Sequence, residues 1–186
     1  MDIPMNTRQR ASGALVLLLI ASVIPEMLSG NTPTHALFQP GAFLFFVVAY
    51  GLPALVIREL AIRYSISFAG LFLIGLGYGI VNEALLAKTV FRIEGPPVDI
   101  FEGYGFAFGI QWAWTAFILP WHAVASVMLP IAFAHRAVPL AASRNWLGIG
   151  STWGLAIILL ALISSFYLLE DTSAIAGNIP MLAILW

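Results

Sequence analysis

Two glutamates and a histidine stand inside stretches of this chain that are otherwise apolar: Glu26 in "SVIPEMLSG", Glu83 in "GYGIVNEALLAK" and His122 in "ILPWHAVAS". An ionisable side chain facing lipid near mid-bilayer costs at least about 2.5 kcal/mol, so each is expected to face protein and to have a partner. Two carboxylates and an imidazole at one site could hold a cation, share a proton or act as an acid and base pair. Glu83, His122 and Glu26 are therefore the candidate catalytic residues. Asn82, Gln111, Thr115, Ser126 and Lys88 are candidate supporting polar groups, and Glu83 with His122 is the candidate metal pair. The sequence leaves the cofactor unknown.

Helical spacing places these groups on faces. Gly75, Gly79, Asn82 and Glu83 follow i, i+4, i+7, i+8, and the small-xxx-small pair Gly75 and Gly79 lets another helix approach closely. Glu83 thus extends a contact face, where it is either a packing hydrogen-bond group or a chemical one. Ser22, Glu26 and Ser29 share a face, with Pro25 removing one backbone donor beside them. Gln111, Thr115, His122 and Ser126 fall within about 60° on a helical wheel and form a polar seam beside Pro120. By counting residues, His122 lies near mid-depth and the carboxylates about 10 Å farther out, so tilt or the Pro120 bend must close the gap. Glu26 could instead snorkel to the interface, as could Arg58 and Arg63 in the second span, where Glu59 can pair with a neighbouring cation. Tyr50 and Pro53 suit a kinked, cavity-lining segment. Asp99 and Glu102, three apart in an outer loop, and His35 carry no assigned role.

The elements that must position these groups follow from composition. Of 186 residues, 61% are hydrophobic and 9% charged, against about 25% charged in soluble domains. The chain is an all-α, polytopic transmembrane helix bundle, because only helices or closed barrels satisfy backbone polar groups in lipid and strand alternation is missing. Spans of roughly 20 residues fall at about 11–29, 41–62, 67–88, 109–133 and 146–169. The segment 176–186, apolar and containing Pro180, is too short to cross and is expected at an interface. The whole reads as one integral membrane domain without internal repeat, and its first span is expected to be retained, since Pro25-Glu26 stands where a signal cleavage site would need small residues. Arg8, Arg10, Arg58, Arg63, Arg136 and Arg144 gather at one side and Lys88 and Arg92 at the other, which predicts a cytoplasmic N-terminus in a cell membrane. Trp112, Trp114, Trp146 and Tyr104 fall near interfaces. Without cysteine, thiolate chemistry is excluded, and no basic tract points to nucleic acid.

At Asn82-Glu83, Lys88 and His122-Ala123-Val124-Ala125-Ser126 the sequence resembles the CAAX-protease and bacteriocin-processing superfamily of intramembrane enzymes. That family pairs two glutamates before an arginine on one span and carries a histidine followed four residues later by Asn or Asp. Here Asn82 stands at the first glutamate position, the basic residue is a displaced Lys88, and Ser126 takes the fourth place. Over more of the chain, "PEMLSGNTP" (25–33), "YGLPALVIREL" (50–60) and "YGIVNEALLAK" (78–88) resemble an uncharacterised family of small prokaryotic membrane proteins. The first resemblance implies an intramembrane enzyme; the residues themselves allow a hydrolase, with Glu83 activating water, His122 as relay or metal ligand, and Glu26 and Asn82 positioning an oxyanion or ion. The second implies only the fold. The residues themselves equally allow a non-enzymatic part: transport, binding of a lipid or small apolar ligand, or a place in a homo-oligomer or membrane complex. The lipid bilayer is the one partner composition requires.

Overall fold

A computed structural model describes residues 7–30 and 32–175, with side chains through residue 168. Five helices are long and apolar enough to cross a membrane: Thr7–Ser29, Pro40–Arg63, Phe68–Leu86, Trp112–Ala137 and Ile149–Leu168, the last continuing to Ile175. They are taken below as the first to fifth spans. The segment 176–186 and the side chains of Glu170 and Asp171 lie outside the described residues.

Of the boundaries that differ from the sequence reading, two bear on the site. The third span stops at Leu86, and Lys88 turns the chain away with a left-handed φ of 55°. The fourth begins only at Trp112, because Phe106–Ala107 (β1) pairs antiparallel with Ile110–Gln111 (β2) in a short hairpin. Gln111 is therefore the N-cap of the fourth span, where its side-chain oxygen accepts the Ala113 N–H at 3.2 Å and satisfies one of the free donors of a helix start.

The third span packs along the second half of the fourth, and the first span packs against both the second and the fourth. Glycine permits the closest of these approaches. A Cβ on Gly75 would sit 2.6 Å from Ala123 Cα, and one on Gly79 would sit 3.2 Å from His122 Cβ, so the glycine face meets the histidine face directly. Gly51 lies likewise against Ser22 and Leu18 of the first span. A core of Leu17, Ala21, Leu55, Tyr78, Val127, Ile131 and Trp146 joins four of the five spans and the segment before the fifth.

Three of the spans contain a π-helical stretch, at Val47–Gly51, Val81–Leu86 and His122–Met128. The i→i+5 bonds run from Leu52 N–H to Val47 O, Ala87 N–H to Asn82 O and Leu129 N–H to Val124 O. Proline accounts for part of this. Pro53 cannot donate to Ala49 O, and Pro130 cannot donate to Ser126 O, so the regular ladder is interrupted at both places. The Ala49 carbonyl freed in this way accepts the Tyr78 hydroxyl at 2.6 Å.

At the end of the bundle carrying Arg8 and Arg136, Arg58 and Glu59 are wholly buried and paired at 2.5 Å. The pairing of Glu59 with a cation is as the sequence suggests, but Arg58 does not snorkel. The chain after the fourth span folds back over it: its guanidinium donates to Ala141 O, Ala142 O and His135 Nε2 and lies 3.5 Å from the Trp146 ring centroid. Glu59 accepts from Asn145 and from the backbone N–H groups of Trp146 and Leu147. Trp146 is accordingly buried, not interfacial.

Candidate functional site

Glu83, His122 and Ser126 form a single hydrogen-bonded line. His122 Nε2 meets Glu83 Oε1 at 2.7 Å, and its Nδ1 meets Ser126 Oγ at 2.9 Å. Glu83 Oε2 also accepts from the Thr89 hydroxyl, and the Trp114 indole N–H donates to Thr89 Oγ1 at 2.9 Å while reaching Glu83 Oε2 at 3.4 Å. All five side chains are buried. Such a carboxylate, held by an imidazole, a hydroxyl and an indole, has donors to offset the cost of leaving water.

The depth mismatch expected from residue counting is closed by the short third span. Glu83 stands three residues before its end and His122 ten residues into the fourth span, so at 1.5 Å per residue the third span stops about 10 Å short of the level of Trp112. The intervening chain dips back over that end through the turn Thr89–Phe91, which delivers Thr89 to Glu83.

Glu26 has a second set of partners. Tyr50 donates to its Oε1 at 2.8 Å and Thr32 to its Oε2 at 2.5 Å. It is buried and does not snorkel. Glu26 and Glu83 are not hydrogen-bonded to each other. What joins them is aromatic: the Tyr50 ring stacks on His122 at 6.0 Å between centroids, and Tyr78 meets the same imidazole edge-on at 5.6 Å in geometries that aromatic pairs favour. The three candidate groups thus converge about the His122 ring, each of the three π-helical stretches contributing to the convergence: Tyr50 from the first, Asn82 and Glu83 from the second, His122 and Ser126 from the third. Single π turns inside α-helices occur frequently at functional sites.

The supporting residues divide. Ser126 belongs to the line. Asn82 turns to its own helix and donates to the Tyr78 hydroxyl at 3.0 Å. Thr115 donates to Gln111 O within its own span. Lys88 reaches the fifth span, where its ammonium donates to Tyr167 O at 3.2 Å and lies 4.3 Å from the Tyr167 ring centroid. Gln111 is fully buried, and its Nε2 has no hydrogen-bond partner among the described residues. Its side-chain oxygen accepts from the Ala113 N–H, which leaves the amide nitrogen as the free donor end of the side chain. The polar seam proposed for the fourth span therefore breaks into a helix cap and a separate His122–Ser126 pair.

Among the described residues no group of three or more His, Cys, Asp or Glu side chains is placed to hold a metal ion; Glu83 and His122 supply two such groups. Neither of two surface pockets, an apolar groove of about 570 Å³ lined by Leu19, Ile20, Val23, Ile24, Phe38, Pro40 and Phe43, and another of about 400 Å³ at Arg8 and Pro139, is lined by the Glu83–His122 line.

Thr89, Trp114, Tyr78 and Thr32 were not singled out as site residues by the sequence. Thr89 and Thr32 lie beyond the spans, where no helical wheel applies. Trp114 reads as an interface aromatic, yet it is buried with its indole N–H turned to the carboxylate. Tyr78, four residues before Asn82, had the one available signal, since i and i+4 share a helix face.

An uncharacterized membrane protein family matches residues 15–186 of the chain. No curated protein and no solved structure matches it. The match agrees with the broader of the two resemblances noted in the sequence and lends nothing to the CAAX-protease one.

Proposed function

Because the chain belongs to an uncharacterized membrane protein family, its activity has to be argued from the site, and we propose that the site is a membrane-buried acid–base centre in which Glu83 and His122 hold and transfer a proton. The observation that carries this reading is the engagement of both His122 ring nitrogens, one by Glu83 and one by Ser126, where three π-helical stretches meet. With Glu83 ionised, Nε2–H donates to the carboxylate and Nδ1 accepts from the Ser126 hydroxyl. Uptake of one proton at Nδ1 gives an imidazolium that donates to Ser126 Oγ and still donates to Glu83. Loss of that proton restores the first state. The link to Glu83 survives both, which suits a group that must titrate reversibly away from water. Gln111, the cap at which the hairpin joins the fourth span, would offer its Nε2 donor to an oxygen of a water or of a reacting group.

Two forms of this centre follow. In the enzymatic form the protein is an intramembrane hydrolase-like enzyme, Glu83 acting as base toward a water and His122 as relay, with Tyr50 and Glu26 supporting the imidazole from its other face. In the non-enzymatic form the same pair carries a proton for transport or for binding a lipid or small apolar ligand, alone or within a membrane complex. The arginine-rich end faces the cytoplasm by the positive-inside rule, so the centre lies in the outer half of a cell membrane.

Infrared spectra of the reconstituted protein, titrated in H₂O and D₂O, test the centre itself. Imidazole ring bands that change with pH and shift in D₂O are expected, together with a carboxylate band that responds to the same change, vanishes in Glu83→Gln and moves in His122→Asn; a Glu83→Gln spectrum identical to wild type at every pH overturns the proposal. Proton flux into dye-loaded vesicles then separates the forms, since only the transport form gives flux that Glu83→Gln abolishes.

A further inference from the structure

The turn of the β1–β2 hairpin consists of Phe108 and Gly109, with φ of 54° and 76°. Two central residues with positive φ define the mirror-image turn that suits the twist of a two-residue hairpin loop, and its first position ordinarily takes Asn, Asp or Gly. Phenylalanine is strained there, because its Cβ crowds the backbone in the left-handed region. The same residue is 98% exposed. Backbone strain and an aromatic ring in the open both act against folding, and the described residues offer this ring no contact that would offset them.

Phe108 has company. Ile100 and Tyr104 are more than three-quarters exposed in the same loop, and Trp112 is half-exposed, with its indole N–H donating to Ala107 O. Trp112 also begins the fourth span. That contact ties the hairpin to the start of the fourth span: the tip lies two strand residues beyond it, about 7–10 Å at a strand rise of 3.3 Å per residue. The headgroup region on each side of a bilayer is roughly 5–8 Å deep, so the tip lies at headgroup depth unless it stands straight up along the membrane normal.

We infer that the hairpin is a membrane-interface anchor: Phe108, with Tyr104 and Trp112 beside it, inserts into the headgroup and acyl boundary of the bilayer that the bundle spans. The occupant of this aromatic patch is lipid, because the patch is continuous with a membrane span. Residues 95–112 contain no lysine or arginine, and Asp99 and Glu102 are exposed within them. Insertion is therefore apolar, needs no anionic lipid, and is insensitive to salt. The anchor also holds the roof over Glu83, since Gln111 and Trp114 follow the hairpin directly. The inference does not depend on what chemistry Glu83 performs.

The chain has no cysteine, so single-cysteine variants of the full chain report one position each. Spin labels at Phe108→Cys and, as the solvated reference, Glu94→Cys would be placed in vesicles of zwitterionic phosphatidylcholine. Collision with oxygen, which concentrates in lipid, is compared with collision with a water-soluble nickel chelate. The expected result is an oxygen-to-nickel ratio several-fold higher at 108 than at 94 and unchanged by salt. Equal ratios overturn the anchor, and so does a 108 label shielded from both reagents, which would place it against a second copy or another protein. Should Phe108→Cys fail to fold, a label at Tyr104→Cys is read with and without Phe108→Asn, which keeps the turn and removes the ring. Loss of the ring is expected to raise nickel access at 104; no change overturns the proposal.

Discussion

Adding one methyl group at Gly75 should open the contact on which the candidate site depends. The Cβ of Gly75→Ala would lie 2.6 Å from Ala123 Cα and 2.9 Å from Ala123 Cβ, whereas unstrained carbon contacts are at about 3.5–4.0 Å. The obstacle is backbone, which cannot rotate aside, so the third and fourth spans must separate by about 1 Å. Overpacking of this kind costs typically 1–3 kcal/mol, or roughly 2–12 °C in melting temperature at 2–4 °C per kcal/mol for a chain of this size. His122 is the neighbour of Ala123, and its 2.7 Å contact with Glu83 would stretch beyond hydrogen-bond reach, to about 3.7 Å. Gly77→Ala supplies the control, since the same change in the same helix meets nothing within 4 Å and should stay within about 0.5 kcal/mol of wild type. Gly79→Ala should fall between them, because its nearest neighbour, at 3.1 Å, is the flexible Leu119 side chain. Ala123→Gly should rescue Gly75→Ala only in part, as it removes the 2.9 Å contact and leaves the 2.6 Å one. Thermal unfolding in one detergent gives the order, and the ¹⁵N shifts of the His122 ring report the broken bond. A Gly75→Ala protein that melts with Gly77→Ala and keeps the wild-type imidazole shifts would refute the reasoning.

Glu59→Gln should be among the most damaging carboxylate replacements, about 3–5 kcal/mol, because it leaves the buried Arg58 without its counter-charge and sets an amide against the Trp146 and Leu147 N–H groups. Chemical unfolding and protease access to residues 138–148 measure it, and wild-type stability would mean that Arg58 is neutralised elsewhere. Tyr50→Phe removes one donor from Glu26 but keeps the ring on His122, so it should cost about 1.5–3 kcal/mol and leave the His122 ¹⁵N shifts where Glu83→Gln moves them. Equal movement in both variants would show that the two carboxylate networks act as one.

Much of the site was legible because helical periodicity survives any arrangement of neighbours. Gly75, Gly79 and Glu83 fall on one face by spacing alone, and the structure sets that face against His122 and Ala123. Ser126 follows His122 by one turn and is bonded to it. Where periodicity stopped, so did the reading. Gln111 and Thr115 were assigned to the same seam as His122 on the premise that the helix began before them, but the hairpin places Gln111 at the cap. Arg58 and Trp146 read as surface groups because a span end normally meets water or headgroups, and nothing local announces that residues 138–148 fold back over them.

By itself the sequence determined the membrane environment, the five helical spans and the expectation that Glu83 and His122 face protein, since hydrocarbon solvent forces backbone bonds into helices and ionisable groups toward protein, while it allowed Glu26 either the interior or the interface. Only the tertiary structure decided who meets whom. The early stop of the third span, the carbonyl freed by Pro53 for Tyr78, and the return of Thr89 over Glu83 depend on contacts between segments far apart in the chain, and the hydrogen bonds of the site are satisfied only once those segments are packed together.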